Sequence, residues 1–266
     1  YLKKDAKCQV NITRVRRGEL TPVTLDVGGK RAAETLHRIF QRVIGSTRMH
    51  LEEEGHVFNT DIYIQQRLSG QPLTPYFHSV AGHGFSLNLL VDMSSSMHDT
   101  WKSVEKLVAV LQRALAFPLV KLHVTGFQQH EAGEVDIVIF PKDARGLNGP
   151  RSRVGGQTPL HSAVRIAGRM ITDNRDDKHV FLISDGFPAY STKGAPIGTQ
   201  TLINWTRTSV EDLRKNQVKV CAFMIGNGTP SEEEMTEMFG PHNWKKIPTD
   251  ALYRESLKFV TEKFLR

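Results

Sequence analysis

Residues 85–97 read FSLNLLVDMSSSM and give the clearest indication of the fold. The first seven of them form an almost unbroken apolar run, which predicts a strand buried on both faces. Asp92 and the serines then mark a polar turn. Apolar residues recur at helical spacing from Trp101 to Leu115. The pattern therefore predicts a strand, a tight turn and an amphipathic helix, as in α/β folds.

The alternation of strands and helices continues along the chain. Further strands are predicted over 120–127, 135–140, 180–184 and 218–225, and helices over 160–171, 200–216, 231–239 and 253–264. Strands that are apolar throughout need cover on both faces, so we predict a doubly wound, mostly parallel sheet with helices on each side. In such α/β sheets, ligands bind beyond the carboxyl ends of the strands.

The segment before residue 83 has a different composition. It begins as a basic, irregular stretch, and a helical pattern over 33–43 follows and ends at Gly45. A shorter helix is predicted from Asp61 to Gly70. We therefore predict a basic, partly helical appendage over 1–82 and an α/β domain over 83–266.

Composition limits the classes of protein. With 39% hydrophobic and 24% charged residues, the 266-residue chain can form a packed core, which excludes an intrinsically disordered protein. No apolar run approaches about 20 residues, so no membrane span is predicted. Cys8 and Cys221 lie far apart and form no metal knuckle. This usage favours a reducing compartment and a cytoplasmic location, although a single long-range disulfide remains an alternative.

The net charge of +7 predicts an acidic partner. Charge alone leaves protein, nucleic acid and membrane surface open. The basic N-terminal run has no interleaved aromatic residues, which argues against nucleic acid. The chain also lacks a phosphate-binding P-loop and a G-x-S-x-G nucleophile elbow, so neither nucleotide hydrolysis nor this type of serine catalysis is encoded.

Oxygen-bearing side chains occur in three predicted loops, two of which follow a strand and one of which leads into a helix. Asp92, Ser94 and Ser96 form a D-x-S-x-S pattern, Thr158 follows two glycines, and Asp185 follows the strand over 180–184. Hydroxyl and carboxylate oxygens favour a hard divalent cation such as Mg²⁺, with Mn²⁺ or Ca²⁺ as alternatives. Helix N-caps and a plain turn would use the same residue types, so both interpretations stay open here.

This set resembles the metal-ion-dependent adhesion site (MIDAS) of von Willebrand factor A (vWA) domains, over residues 83–266. The resemblance implies a vWA fold in which Ser94, Ser96 and Thr158 bind the ion directly, while Asp92 and Asp185 act through water. It also implies an open coordination position that an Asp or Glu of a partner protein completes. Ser95 stands where many members have glycine, which alters the turn but removes no ligand.

Basic residues near this site are candidates for partner contacts. The loop before Thr158 carries Lys142 and three arginines, and we predict that it gathers positive charge near the metal and steers an acidic segment. A plain solvated loop is the alternative. The candidate partner-binding residues are Arg145, Arg151, Arg153 and His98.

Two classes of function follow from the resemblance. A helical segment leading into a vWA domain is similar to the T subunit of cobaltochelatase and to nitric oxide reductase activation proteins, which work with MoxR-type AAA+ ATPases. This predicts a non-catalytic adaptor that recognises a target or transmits motion within an ATP-driven complex. The alternative is an extracellular adhesin or matrix-binding domain that uses the same metal site. A metal-dependent hydrolase is the weakest interpretation, because the sequence places no general base beside the ion.

Overall fold

The apolar run of residues 85–91 forms the central strand of a seven-stranded sheet in the computed structural model. Every residue of this strand is buried, as expected for a strand covered on both faces. The structure describes residues 9–44, 49–52, 57–58, 60–70, 76–79, 85–117, 120–142, 144, 146–149, 154–171, 177–192, 195–225, 230–248, 251, 254–256, 258–259 and 262.

The strands and helices are numbered in chain order. The strands are β1 (Gln9–Arg14), β2 (Met49–Glu52), β3 (Val57–Phe58), β4 (Tyr76–Ser79), β5 (Phe85–Asp92), β6 (Val120–Gln128), β7 (Glu134–Phe140), β8 (Asp177–Ser184), β9 (Val218–Ile225) and β10 (Trp244–Ile247). The helices are α1 (Val27–Ile44), α2 (Thr60–Ser69), α3 (Trp101–Ala114), α4 (Leu160–Arg169), α5 (Thr199–Lys215) and α6 (Glu232–Phe239).

The central sheet has the strand order β1-β7-β6-β5-β8-β9-β10. The five neighbouring strands β6, β5, β8, β9 and β10 run parallel to one another. Strand β7 is antiparallel to β6, and β1 is parallel to β7. The prediction of a mostly parallel α/β sheet is confirmed.

Helices cover both faces of this sheet. Leu87, Leu89 and Val91 of β5 join the core formed with α1 and α3, while Leu90 joins the core formed with α4, α5 and α6. This alternation follows from the pleat of the strand, which points successive side chains to opposite faces.

The N-terminal segment differs from the prediction. Residues 9–14 form an edge strand beside β7, and α1 packs on α3, where the His37 ring stacks on Phe117 with centroids 4.2 Å apart. Leu36 and Phe40 are 1% exposed. The expectation of a separate appendage over 1–82 is therefore wrong for residues 9–44, which share the sheet and core of the rest. Only β2, β3 and β4 form a second, antiparallel sheet.

Sequence patterns missed β1 for a physical reason. It is an edge strand in which no residue is fully buried, and Ile12 is 60% exposed, so its sequence shows no continuous apolar run. The short strand β10 was also not predicted. The predicted helix over 253–264 lies mostly outside the described residues, of which 254–256 are helical.

Within the described part of the chain, no helix combines the length and the apolar character needed to cross a bilayer.

Candidate metal centre

The turn after β5 is built around the Asp92 carboxylate. Asp92 is fully buried. Its Oδ1 accepts a hydrogen bond from the Ser94 amide at 2.8 Å, and its Oδ2 accepts one from the Ser184 hydroxyl at 2.5 Å. Because Ser184 ends the neighbouring strand β8, these bonds fix the carboxylate between two parallel strand ends. Its orientation is therefore set before any ligand arrives.

The two motif serines connect this turn to the second carboxylate. The Ser94 and Ser96 hydroxyl oxygens lie 3.1 Å apart, and Ser96 donates to Asp185 Oδ1 at 2.8 Å. Ser94 is 2% exposed, whereas Ser96 faces solvent. The structure thus brings Asp92, Ser94, Ser96 and Asp185 together at one edge of the sheet.

The loop that carries Thr158 is bonded to the same turn. The Gly155 amide donates to the Met93 carbonyl at 2.7 Å, and the Ser95 amide donates to the Gly156 carbonyl at 3.1 Å. The Ser95 hydroxyl also donates to that carbonyl, at 3.2 Å. Serine at this position therefore adds a contact between the loops that glycine could not make. Thr158 follows as a buried residue, 4% exposed.

Gly156 makes the approach of the two loops feasible. Its φ is +75°, and a Cβ there would lie 2.1 Å from the Gln129 carbonyl oxygen. Gln129 and Gln157 form an isolated antiparallel bridge beside it. A side chain at position 156 would meet backbone rather than a movable side-chain end, so only glycine fits.

The helix-cap interpretation of the motif residues does not match the structure. Helix α3 begins after Thr100, and α4 begins after Pro159. Ser94 precedes only a short 3₁₀ turn and makes no side-chain capping bond to it. The hydroxyls of the first motif instead face each other and Asp185, as a shared ligand would require.

The electrostatics of the site favour a cation. Burial raises the pKa of Asp92 to about 6, against hydrogen bonds from Ser184 and Ser94 that lower it. Burial also raises the pKa of Asp185. Among the described residues, neither carboxylate forms a salt bridge with a basic side chain. A bound cation would compensate for the desolvation of both carboxylates.

The donor geometry fits a small, hard ion. Two oxygens bound to adjacent corners of an Mg²⁺ octahedron lie about 2.9 Å apart, given bond lengths of about 2.0–2.1 Å. The 3.1 Å between the Ser94 and Ser96 hydroxyls is close to this spacing. No group of three or more His, Cys, Asp or Glu side chains is placed to hold a metal within the described residues. The candidate site is therefore one of hydroxyls supported by carboxylates.

Two residues of this region lie outside the predicted set. Ser184 closes an apolar run directly before Asp185, which is a usable signal in the sequence. Phe187 lies two residues after Asp185 in the chain and is 39% exposed.

The predicted basic rim is only partly described. His98 is exposed, one turn beyond the motif, whereas Arg145, Arg151 and Arg153 lie outside the described residues. The placement of Lys142 near the metal is wrong. Because β7 runs antiparallel to β6, Lys142 lies at the opposite end of the sheet, beside the start of β6.

Comparisons with known proteins agree with this architecture. No family model matches the chain, and no curated protein does. Proximal thread matrix protein 1 of the mussel byssus aligns with 20% identity and a TM-score of 0.50, over 67% of this chain and 47% of its own. The pilus adhesin SpaC of Lactobacillus rhamnosus GG aligns with 16% identity and a TM-score of 0.50, over 68% and 30%.

A third solved structure is the vWF domain of the pili tip protein Mfa5 from Porphyromonas gingivalis. It aligns with 10% identity and a TM-score of 0.49, over 69% of this chain and 97% of its own. The chain thus spans about half of the mussel protein and less than a third of SpaC. These likenesses concern the fold alone. The two alignments at a TM-score of 0.50 agree with the doubly wound, mostly parallel α/β sheet of this chain.

Proposed function

We propose that this protein is a non-catalytic adaptor whose site holds Mg²⁺ and captures an Asp or Glu of a partner protein. The observation that carries the proposal is the chain of contacts from Asp92 through Ser94 and Ser96 to Asp185. Ser94, Ser96 and Thr158 would bind the ion, and Asp92 and Asp185 would support it from a second layer. Mn²⁺ or Ca²⁺ would suit the same oxygen donors.

The ion would supply positive charge and one open coordination position. Neutral hydroxyls leave most of that charge uncompensated, so a carboxylate from another molecule would bind strongly there. Ser184 holds Asp92 in place through the hydrogen bond to Oδ2. Phe187 would add apolar contact beside the captured side chain. His98, which is exposed and lies two residues after Ser96, is a second candidate for contact with the partner.

A binding role suits the site better than catalysis. The described residues show no hydrogen bond between a histidine and either Ser94 or Ser96. Ser96 donates to Asp185 Oδ1, but no second side chain among the described residues forms a hydrogen bond that would orient this carboxylate as a base. A nucleophile would need a base held in reach, with that base oriented by a third group.

For the partner, we propose a cytoplasmic MoxR-type AAA+ ATPase or the target on which it acts. Support comes from the sequence resemblance to cobaltochelatase T subunits and nitric oxide reductase activation proteins. An extracellular adhesin is the second candidate, because solved structures with this fold include a pilus adhesin and a byssal matrix protein. The identity of the captured partner distinguishes the two.

The test combines metal binding with partner capture. Metal-free protein is titrated with Mg²⁺ by calorimetry, and the same protein is used for pull-downs from native lysate with Mg²⁺ or with EDTA. Asp92→Ala should weaken Mg²⁺ binding by at least about tenfold, since supporting ligands typically contribute about 10–100-fold. It should lose the partners that EDTA also removes.

Asp99→Ala is the matched control, because Asp99 is an exposed carboxylate in the same turn region and outside the proposed ligand set. Thermal unfolding checks that each variant is folded. Equal recovery of partners with Mg²⁺, with EDTA and with Asp92→Ala would refute the proposal. Mass spectrometry of the Mg²⁺-dependent fraction then identifies an ATPase, its target or a surface ligand.

A further inference from the structure

A second concave site lies at the end of the sheet opposite the metal centre. It is a cavity of about 610 Å³ between three parts of the chain: the segment entering α1, the carboxyl-terminal half of α3, and the strand ends around Val120 and Lys142. Pockets of about 300–1,000 Å³ accommodate small organic ligands. The cavity is thus of ligand size, and it shares no residue with the metal site.

The walls of this cavity are mainly apolar. Leu25 lies on the N-terminal segment, Leu115 follows α3, and Leu122 belongs to β6. All three are buried, with Phe117 partly exposed between them. An apolar ligand body would pack on these walls and remove the exposed part of Phe117 from water, which stabilises a complex by about 25 cal/mol for each Å² of apolar surface buried.

Three cations surround the same cavity. Lys30, Arg113 and Lys142 line it and are exposed, and the described residues that line it include no Asp or Glu. None of the three forms a salt bridge within the described part of the chain, whereas nearby Lys106 is paired with Asp26 at 3.6 Å. Three unpaired cations around an apolar hollow complement an anion with an apolar body.

A buried donor gives independent support for a ligand. Gln112 lines the cavity and is only 9% exposed, yet its side-chain Nε2 has no hydrogen-bond partner among the described residues. An unsatisfied buried amide is costly to the free protein. An acceptor oxygen delivered into the cavity would satisfy it.

We propose that this cavity binds a small amphipathic carboxylate, in which an aliphatic chain packs on the apolar walls and the carboxylate meets Arg113, the two lysines and Gln112. A carboxylate has only acceptor oxygens, which matches the donors present, and the guanidinium can bind it in a bidentate manner. This site is independent of the metal centre and of the adaptor proposal.

The test uses the full chain with EDTA present, so that the metal site does not contribute. Decanoate, decanol and decyltrimethylammonium are titrated by calorimetry below their micelle concentrations. Decanoate should saturate one site and bind at least about tenfold more tightly than decanol, a difference of about 1.4 kcal/mol. Equal binding of decanoate and decanol, tighter binding of the cation, or no saturable binding would overturn the proposal.

Variants locate the ligand. Ala116→Phe narrows the cavity at an exposed lining residue, so the protein should fold and lose most of its decanoate affinity. Arg113→Gln should weaken binding about threefold to tenfold, while Lys102→Gln, an exposed lysine of α3 that does not line the cavity, should not change it. Unchanged affinity in Ala116→Phe would overturn the assignment of the site.

Gln112→Leu should raise the stability of the free protein and lower its affinity for decanoate. Removing the unsatisfied amide should raise the unfolding temperature of the free protein, because leucine needs no hydrogen bond in this apolar wall. The same variant should bind decanoate about threefold more weakly. A gain in stability with unchanged affinity would contradict the role of Gln112 in ligand binding.

Discussion

The two ends of the central sheet differ in how they are built. At the carboxyl end of β5, short segments with polar motifs are joined by direct hydrogen bonds, and the Ser96 hydroxyl lies beside that of Ser94 and donates to Asp185. At the opposite end, roughly 20–25 Å away along an eight-residue strand, an apolar cavity is lined by Lys30, Arg113 and Lys142, which form no salt bridge with another described residue. The geometry of one end is set by hydrogen bonds between loops, whereas the character of the other end is set by the side chains that line a cavity.

This difference determines how each end should respond to change. Hydrogen-bonded loops with special backbone geometry are sensitive to single substitutions, because a missing bond or a clash has no alternative arrangement. A cavity with several cations around it tolerates the loss of one.

Gly156→Ala should have the largest effect. The left-handed backbone alone costs an added side chain about 1–3 kcal/mol, and the new methyl group would approach the Gln129 carbonyl oxygen to 2.1 Å. Urea unfolding should show this loss, and added Mg²⁺ should no longer stabilise the protein. Gly198→Ala is the control, since φ there is −63° and no atom lies within 4 Å of the new Cβ. If the two variants unfold alike, the metal end is not as constrained as its geometry indicates.

Acidification should weaken the cavity end through His179, which lies on β8 against Phe85 at a ring distance of 4.6 Å. Burial and then the charge of Lys219 lower its pKa to about 3. Below about pH 6.5 the imidazole of residue 179 is protonated in the unfolded chain but stays neutral in the folded protein. Its contribution to the free energy of unfolding is therefore fully present above that pH and is lost as the pH falls towards 3. The same sign holds for His161, whose pKa burial lowers to about 4.

The measurement compares urea unfolding at pH 7.5 and pH 5 with EDTA present. His179→Gln should lose about 1–2 kcal/mol less stability on acidification than the parent protein. His98→Gln, at an exposed position, should behave like the parent. If His179→Gln and the parent lose the same stability, His179 does not control acid sensitivity.

Phe187→Ala tests whether side chains other than the metal ligands contribute to partner binding. This prediction rests on the proposed function. Exposed aromatic residues beside a central contact often contribute to binding, so partner capture should weaken about threefold to tenfold while Mg²⁺ affinity stays the same. Leu68→Ala is the control, because Leu68 is an 84% exposed apolar residue of α2. Equal capture by both variants would restrict recognition to the metal itself.

Ser95→Gly should have the smallest effect. It removes the hydroxyl bond to the Gly156 carbonyl, but the amide of residue 95 still donates to that carbonyl. We expect a stability loss of about 1 kcal/mol or less and an Mg²⁺ affinity that changes by less than a factor of three. A tenfold change in affinity would show that Ser95 takes part in the metal site.

Much of the fold follows from local sequence. Strands β5, β8 and β9 are predictable because each carries a largely continuous apolar run, β6 because apolar and polar residues alternate in its first half, and α3, α4 and α5 because their apolar residues recur at helical spacing. The loops of Asp92 and Asp185 are predicted at one edge because neighbouring parallel strands end on the same side, whereas Thr158 follows the reversed strand β7 and reaches this edge through a long loop. Their metal-binding role remains a prediction.

Other features depend on contacts between distant residues. Strand β1 exists because residues 9–14 pair with residues 134–139, and its own sequence lacks a buried pattern. Lys142 was misplaced because the reversal of β7 carries the following loop away from the metal. The link from Ser184 to Asp92 joins residues 92 positions apart, so no local pattern contains it.

The sequence by itself determined the α/β class and the order of the main strands and helices, because each depends on residues close together in the chain, and it predicted a set of oxygen-bearing side chains at one edge of the sheet. Only the tertiary structure decided that residues 9–44 belong to the sheet and core, how the donors bond to one another, and that a cationic cavity forms at the other end. Those features arise from packing between segments that are far apart in sequence. Complementarity between such segments produces no periodic pattern in the sequence of either one.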